Sequence, residues 1–284
     1  MKEKESTKKV EIVAAGGLAN RMRAILSALT LAEVSGRRCS VRWDNNDDLK
    51  ADFSDLFLTE SLPFEIEPIA TSGERFLLSM PRKKNLYLPA LIQKLRYGLR
   101  LYDGVNSENY GEQPERLLRG ARDSKKDILV YSGQVFYPFP PERMKEIFRF
   151  SDRVKERALE ISKGVGTFDY GFHVRRTDNV DSIAKSPIEV FESKIEELIA
   201  SQPKVRIFLA SDSQEVKDHL SARYPGMIHY NPSVADRKSL QGMIDAAAEM
   251  SILAATRGIF GSYWSSYSEI AAMLGGTELK VLSV

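Results

Sequence analysis

From residue 168 onward the chain alternates short apolar runs with segments of helical periodicity, and this alternation constrains the fold more than any other feature. Strands are expected at 168–174, 205–210, 227–230, 258–260 and 279–282, with helices at 187–201, 214–224, 239–254 and 267–274 between them. Pro187 suits the first position of its helix. Apolar strands joined through helices predict a parallel, doubly wound α/β sheet. Ligands of such sheets bind beyond the carboxyl ends of the strands, so the residues at those ends come first.

The first half begins in the same manner. Lys9 to Ala15 reads as a strand, GGLAN as a turn, Arg21 to about Ser35 as a helix stopped by Gly36, and residues 39–43 as a second strand. Between Leu49 and Ser124 short apolar groups alternate with Pro63, Pro68, Pro81, Pro89 and Pro114, and no element can be assigned. A strand at 127–133 and one helix from Arg143 to Ser162 restore the order, and GVG at 164–166 reads as a hinge. Two domains follow, at 1–165 and 166–284. At 284 residues each has the length for its own core.

Bulk properties narrow the function. Cys39 is the only cysteine, and MKEKESTKK has no apolar signal-peptide core, so a cytoplasmic protein is expected. A formal net charge of +2 argues against an extended nucleic-acid surface but leaves room for a local anion site. His173, His219 and His229 have no metal-ligand spacing, so no metal is expected.

Four polar clusters fall at strand ends. In FHVRRTDN, Arg175 and Arg176 stand beside Asp178, and one carboxylate accounts for one arginine. The other is available to an external anion, for which the planar fork of arginine suits phosphate oxygens. A charged pair at a strand end held by Asp178 is the plainer alternative. GGLAN, with Gly17 and Asn20, allows close backbone approach before a helix, where free amides favour an anion or a sugar hydroxyl; a tight turn with Asn20 as helix cap is the plainer alternative. It is not a GxGxxG fingerprint, which disfavours a nicotinamide cofactor. Asp212 follows an apolar strand, where a carboxylate can accept from ribose or purine donors or cap a loop. In SYWSSYSE, Ser266 and Glu269 have capping-box spacing ahead of an apolar helix closed by Gly275, and Ser262 and Ser265 add hydroxyls suited to phosphate.

These blocks resemble a known family. HVRRTDNV followed by SPIEVF resembles the phosphate-binding motif of bacterial nodulation fucosyltransferases and eukaryotic α1,6-fucosyltransferases. GGLANRM is similar to a first-strand loop shared with α1,2- and protein O-fucosyltransferases, and VRIFLASDS and the 245–276 stretch resemble the family's second and third motifs. The resemblance covers residues 9–43 and nearly all of 168–284. It implies a GT-B-like fold, two Rossmann-like domains facing a cleft, with GDP-fucose held by the C-terminal domain and the glycan acceptor chosen by the N-terminal one. It also implies inversion at the fucose anomeric carbon with no metal or other cofactor.

Carried over by position, Arg175 is expected on the diphosphate beside Arg176, His173 and Asp212 near the guanosine, and Ser265 and Ser266 in the phosphate loop. The family's catalytic glutamate after the arginine pair has no counterpart here; the loop is one residue shorter and Asp181 is the nearest carboxylate, expected as base with Asp178 positioning. Ser213 replaces a second acid that often follows the strand-end aspartate. Transfer of another sugar nucleotide, or nucleotide-sugar binding without transfer, are the alternative functions. Residues 82–102 interleave basic and apolar side chains, which fits contact with an anionic membrane or a lipid-linked acceptor, or a solvated helix with an apolar core face.

Overall fold

The computed structural model describes residues 8–106, 112–176 and 180–284. Their contacts divide into two compact units, one from the segment ending at Phe53 together with Thr59–Arg143, the other from Ser54–Leu58 together with Met144–Val284. Residues 144–165, grouped with the first half in the sequence reading, share the contacts of the second unit, because the helix Asp152–Ile161 packs on the helix Leu240–Ala254.

The first unit is a five-stranded parallel sheet of β1 (Lys9–Ala14), β2 (Arg38–Trp43), β3 (Glu65–Pro68), β4 (Tyr97–Tyr102) and β5 (Asp127–Ser132), in the order β3-β2-β1-β5-β4. Central β1 buries Val10 and Ile12 completely, as a strand covered on both faces must. Helix α1 (Leu18–Val34) follows it and buries Met22, Ile25, Leu26 and Leu29. It starts three residues before the expected Arg21, because Gly16 at φ 77 makes the turn.

The stretch 49–124 holds α2 (Phe53–Leu56), β3, α3 (Ser72–Leu78), α4 (Leu88–Arg96), β4 and α5 (Pro114–Asp123). These elements are short, and β3 is a partly exposed edge strand with neither apolar alternation nor a continuous apolar run. Helix α3 opens on a complete capping box between Thr71 and Glu74.

The second unit repeats the architecture with β6 (Tyr170–Val174), β7 (Ile207–Ser211), β8 (Ile228–Tyr230), β9 (Gly258–Ser262) and β10 (Glu278–Leu282), all parallel, in the order β10-β9-β6-β7-β8. Its helices are α6 (Arg143–Ile147), α7 (Asp152–Ile161), α8 (Val180–Lys185), α9 (Ile188–Ser201), α10 (Gln214–Arg223), α11 (Leu240–Ala254) and α12 (Ser266–Gly275). Phe172, Phe191, Ile195, Ile207, Leu209 and Leu220 form much of the core.

The single helix expected over 143–162 is two. Phe150 leaves helical geometry to bridge Phe57, and the Ser151 hydroxyl both caps α7 at Val154 N (3.4 Å) and donates to Asp55 O (2.8 Å). A long-range strand-like pairing thus overrides helical periodicity that is otherwise continuous.

Candidate functional site

In the second unit the chain adds β7 and β8 on one side of β6, then crosses to build β9 and β10 on the other. The strand order therefore reverses between β6 and β9, which is where an open parallel sheet leaves a ligand crevice at its carboxyl edge. Three of the four polar clusters converge there.

The end of β6 is tied to both neighbours. Arg175 N donates to Ser262 Oγ at 3.0 Å, joining β6 to β9, and Arg176 N donates to Asp212 Oδ1 at 2.7 Å, joining β6 to the loop after β7. Ser211 Oγ donates to Val174 O at 2.7 Å and accepts from Ser213 N at 3.2 Å, which fixes that loop from below. Arg176 lies half-buried, its guanidinium 5.8 Å from the Phe191 ring centroid and Nη1 donating to Arg175 O at 3.0 Å. Its Nη2 is buried with no hydrogen-bond partner among the described residues. Burial lowers its pKa against the opposing charges of Asp212 and Glu189. Asp178, expected to pair with Arg176, lies outside the described residues.

His173 is buried beneath the start of α12. Its Nδ1 is 3.1 Å from Ser265 Oγ and its ring lies tilted against Tyr267 with centroids 4.8 Å apart. Burial pushes its pKa down to about 4, only partly opposed by Asp212, so the imidazole is neutral at neutral pH. The bond to His173 also explains a departure from the sequence reading: Ser265, not Ser266, is the N-cap of α12, and its hydroxyl makes no capping bond because it is turned to the imidazole. Ser266 is the first helical residue, Glu269 N donates to Ser265 O at 3.3 Å, and Gly276, at φ 60, rather than Gly275 is the residue that caps the end of the helix.

Helix α12 can sit this low because Gly261 has no side chain: a Cβ there would meet Ser268 Oγ at 2.6 Å. Trp264, in the loop before the helix, has φ 54 and is 67% exposed. A bulky residue in the left-handed region at a strand-to-helix loop is strain of the kind found at ligand sites. The loop is braced by Ser186, whose hydroxyl accepts from Tyr263 N at 2.8 Å and donates to Leu282 O at 2.6 Å. Lys185 Nζ lies 4.1 Å from the Tyr263 ring centroid. In the sequence Ser186, Ser211 and Trp264 are visible only as members of SPIEVF, SDS and SYWSSYSE, with no role of their own. Asp181 lies exposed in the first turn of α8.

The fourth cluster belongs to the first unit. Gly17 is the N-cap of α1 with extended backbone and no side-chain bond, and Asn20 lies within the first turn, so Asn20 is not the cap. Arg21, missed in the sequence, organises this end of the sheet from a fully buried position. Its Nε donates to Gly16 O at 2.8 Å, Nη1 to Asp44 O at 2.6 Å and Nη2 to Asn46 Oδ1 at 3.0 Å, with the Trp43 ring 4.8 Å away. Burial pushes its pKa down to about 10, so it remains a cation at neutral pH. Asp44 also pairs with Arg75 at 2.8 Å.

No family model and no curated protein matches the sequence. Solved structures do. NodZ α-1,6-fucosyltransferase soaked with GDP-fucose is 16% identical over 94% of this chain and 93% of its own, with a TM-score of 0.63. POFUT1 in its apo form is 14% identical over 98% and 99%, with a TM-score of 0.58. A mutant of Arabidopsis thaliana FUT1 in complex with GDP is 14% identical over 98% of this chain and 70% of its own, with a TM-score of 0.63. Likeness over nearly the whole chain at such low identity is likeness of architecture, and this chain, with its two parallel five-stranded sheets, shares the α/β fold of these fucosyltransferases.

Proposed function

We propose that the protein is an inverting, metal-independent fucosyltransferase that moves fucose from GDP-fucose to a glycan. One observation carries the reading: adjacent arginines end β6 at the sheet's reversal point, hydrogen-bonded across to Ser262 of the serine-rich loop and to Asp212, in a fold shared with a GDP-fucose-soaked NodZ. The second unit is then the nucleotide-sugar domain and the first the acceptor domain.

In this reading the Arg175 guanidinium and the amides opening α12 bear the charge that collects on the diphosphate as the bond from fucose C1 to oxygen breaks. The Arg176 guanidinium positions the loop, and its buried Nη2 is a donor for a ligand oxygen. Asp212 and neutral His173 shape the nucleoside end. An acceptor hydroxyl attacks C1 from the face opposite GDP, and its proton passes to Asp181, with Asp178 positioning. In the first unit, Gly17 and Asn20 stand at a loop held by Arg21. A lipid-carried glycan suits the basic, apolar segment 82–102.

Thermal-shift titration with GDP, UDP and ADP tests the nucleobase: GDP alone should stabilise strongly. Labelled GDP-fucose on a glycan array then separates transfer from binding. Stabilisation by UDP in preference to GDP would replace the donor, and GDP-fucose binding with no transfer to any glycan would leave a binding protein.

A further inference from the structure

Helix α4 is amphipathic with its polarity inverted. Its buried residues are Pro89 and Gln93, one turn apart. Gln93 is held inward by Nε2 donating to Leu77 O (2.6 Å) and Ser79 O (3.0 Å) and by Oε1 accepting from the Tyr102 hydroxyl. With that face fixed inward, Leu88, Leu91, Ile92 and Leu95, at three- and four-residue spacing, are turned outward and are 46%, 66%, 46% and 77% exposed. Surface helices ordinarily bury such a stripe, and a contiguous exposed apolar face marks an interaction site.

The turn before the helix extends the face. Leu86 and Tyr87 are 75% and 58% exposed and both have positive φ, 52 and 56. Two consecutive bulky residues in the left-handed region persist only when their surroundings hold them. Asn85 does so, accepting from Arg82 N at 2.8 Å and donating to Met80 O at 2.9 Å and Ser79 Oγ at 3.2 Å.

Charge selects the partner. Between Glu74 and Asp103 the chain has no carboxylate side chain and carries Arg75, Arg82, Lys83, Lys84, Lys94, Arg96 and Arg100. Arg75 and Arg96 are paired with Asp44 and Glu11, whereas exposed Lys83, Lys84 and Lys94 pair with no carboxylate among the described residues. A second copy docked face to face would set these lysines against each other. An anionic bilayer offers acyl chains to the leucines and phosphate to the lysines, the pattern of an interfacial helix. We propose that the face made by Leu86, Tyr87, Leu88, Leu91, Ile92 and Leu95 docks on an anionic lipid bilayer. No helix among the described residues is long and apolar enough to cross a membrane, so this docking is at the surface. The inference does not depend on the transfer reaction.

Flotation of the full chain with phosphatidylcholine vesicles, with or without phosphatidylglycerol, tests it. The protein should float only with phosphatidylglycerol, and less so as salt is raised. Leu91→Asp/Leu95→Asp and, separately, Lys83→Glu/Lys84→Glu should each lower partitioning by about tenfold or more, with parental thermal unfolding. Equal flotation with both vesicle types, no flotation, or variants that float as the parent does would overturn the proposal. So would a concentration-dependent dimer that the leucine variant abolishes while vesicles capture nothing. GDP titration on the same preparations reads the donor site separately.

Discussion

The backbone amide of Arg176 donates to Asp212 Oδ1 at 2.7 Å, so one side-chain oxygen fixes the second arginine of the pair at the end of β6. Asp212 also opposes, by its charge, the burial of both Arg176 and His173. Replacing it by alanine leaves a partly buried donor without its acceptor, at a cost of about 1–3 kcal/mol. Asp212→Ala should lower the urea unfolding midpoint accordingly and weaken GDP binding. Asp212→Asn keeps an acceptor oxygen and should lose less of both. Equal midpoints for parent and alanine variant would remove Asp212 from the positioning of the pair.

Arg175 is anchored through its backbone, so its side chain can be removed without releasing the link to Ser262. Arg175→Ala should keep the backbone link to Ser262 and lose about 2–4 kcal/mol of diphosphate and transition-state stabilisation, read by GDP titration calorimetry and by kcat/KM. Arg175→Lys retains charge without the planar fork and should fall between the two. Parental GDP affinity and turnover in Arg175→Ala would dismantle the donor-site assignment.

Asp181 stands exposed at the start of α8, free to meet an acceptor hydroxyl. Asp181→Asn should keep GDP-fucose affinity and reduce transfer by about a hundredfold or more, the scale of a lost general base. Unchanged transfer would shift the base to another carboxylate.

A half-buried acid and a buried imidazole give opposite pH dependences. Burial raises Glu249, on α11, from its ordinary 4.5 to about 7 against the charge of Lys217, so its contribution to stability is complete below 4.5 and lost as pH rises through about 7. His173 is lowered from 6.5 to about 4, so its contribution is present above 6.5 and lost as pH falls through about 4. Glu249→Gln imitates the neutral acid and should gain on the parent between about pH 4.5 and 7, by on the order of a few kcal/mol in urea unfolding. A constant difference across that window would show that Glu249 ionises at its ordinary value. By NMR, His173 should be the imidazole that keeps its neutral-form shifts down to about pH 4.

Short-range pattern was sufficient for the second sheet. Apolar strands and periodic helices between Phe168 and Leu282 name β6 to β10 within a few residues, because strand and helix periods are local properties of the chain. The same locality brings Arg175, Asp212 and Ser262 into view as strand-end residues. What they touch is set by strand order, and nothing near Arg176 in sequence announces a carboxylate 36 residues away on its amide. Long-range contact likewise moves the α12 cap to Ser265, whose hydroxyl meets His173 across 92 residues, and breaks α6 from α7 where Phe150 meets Phe57. Between Leu49 and Ser124 the elements α2, β3 and α3 are too short for a period to register, and α4 follows its period but not the usual sense of burial. A helix pattern fixes which residues share a face; whether that face is buried is decided by the partners Gln93 finds in Leu77, Ser79 and Tyr102.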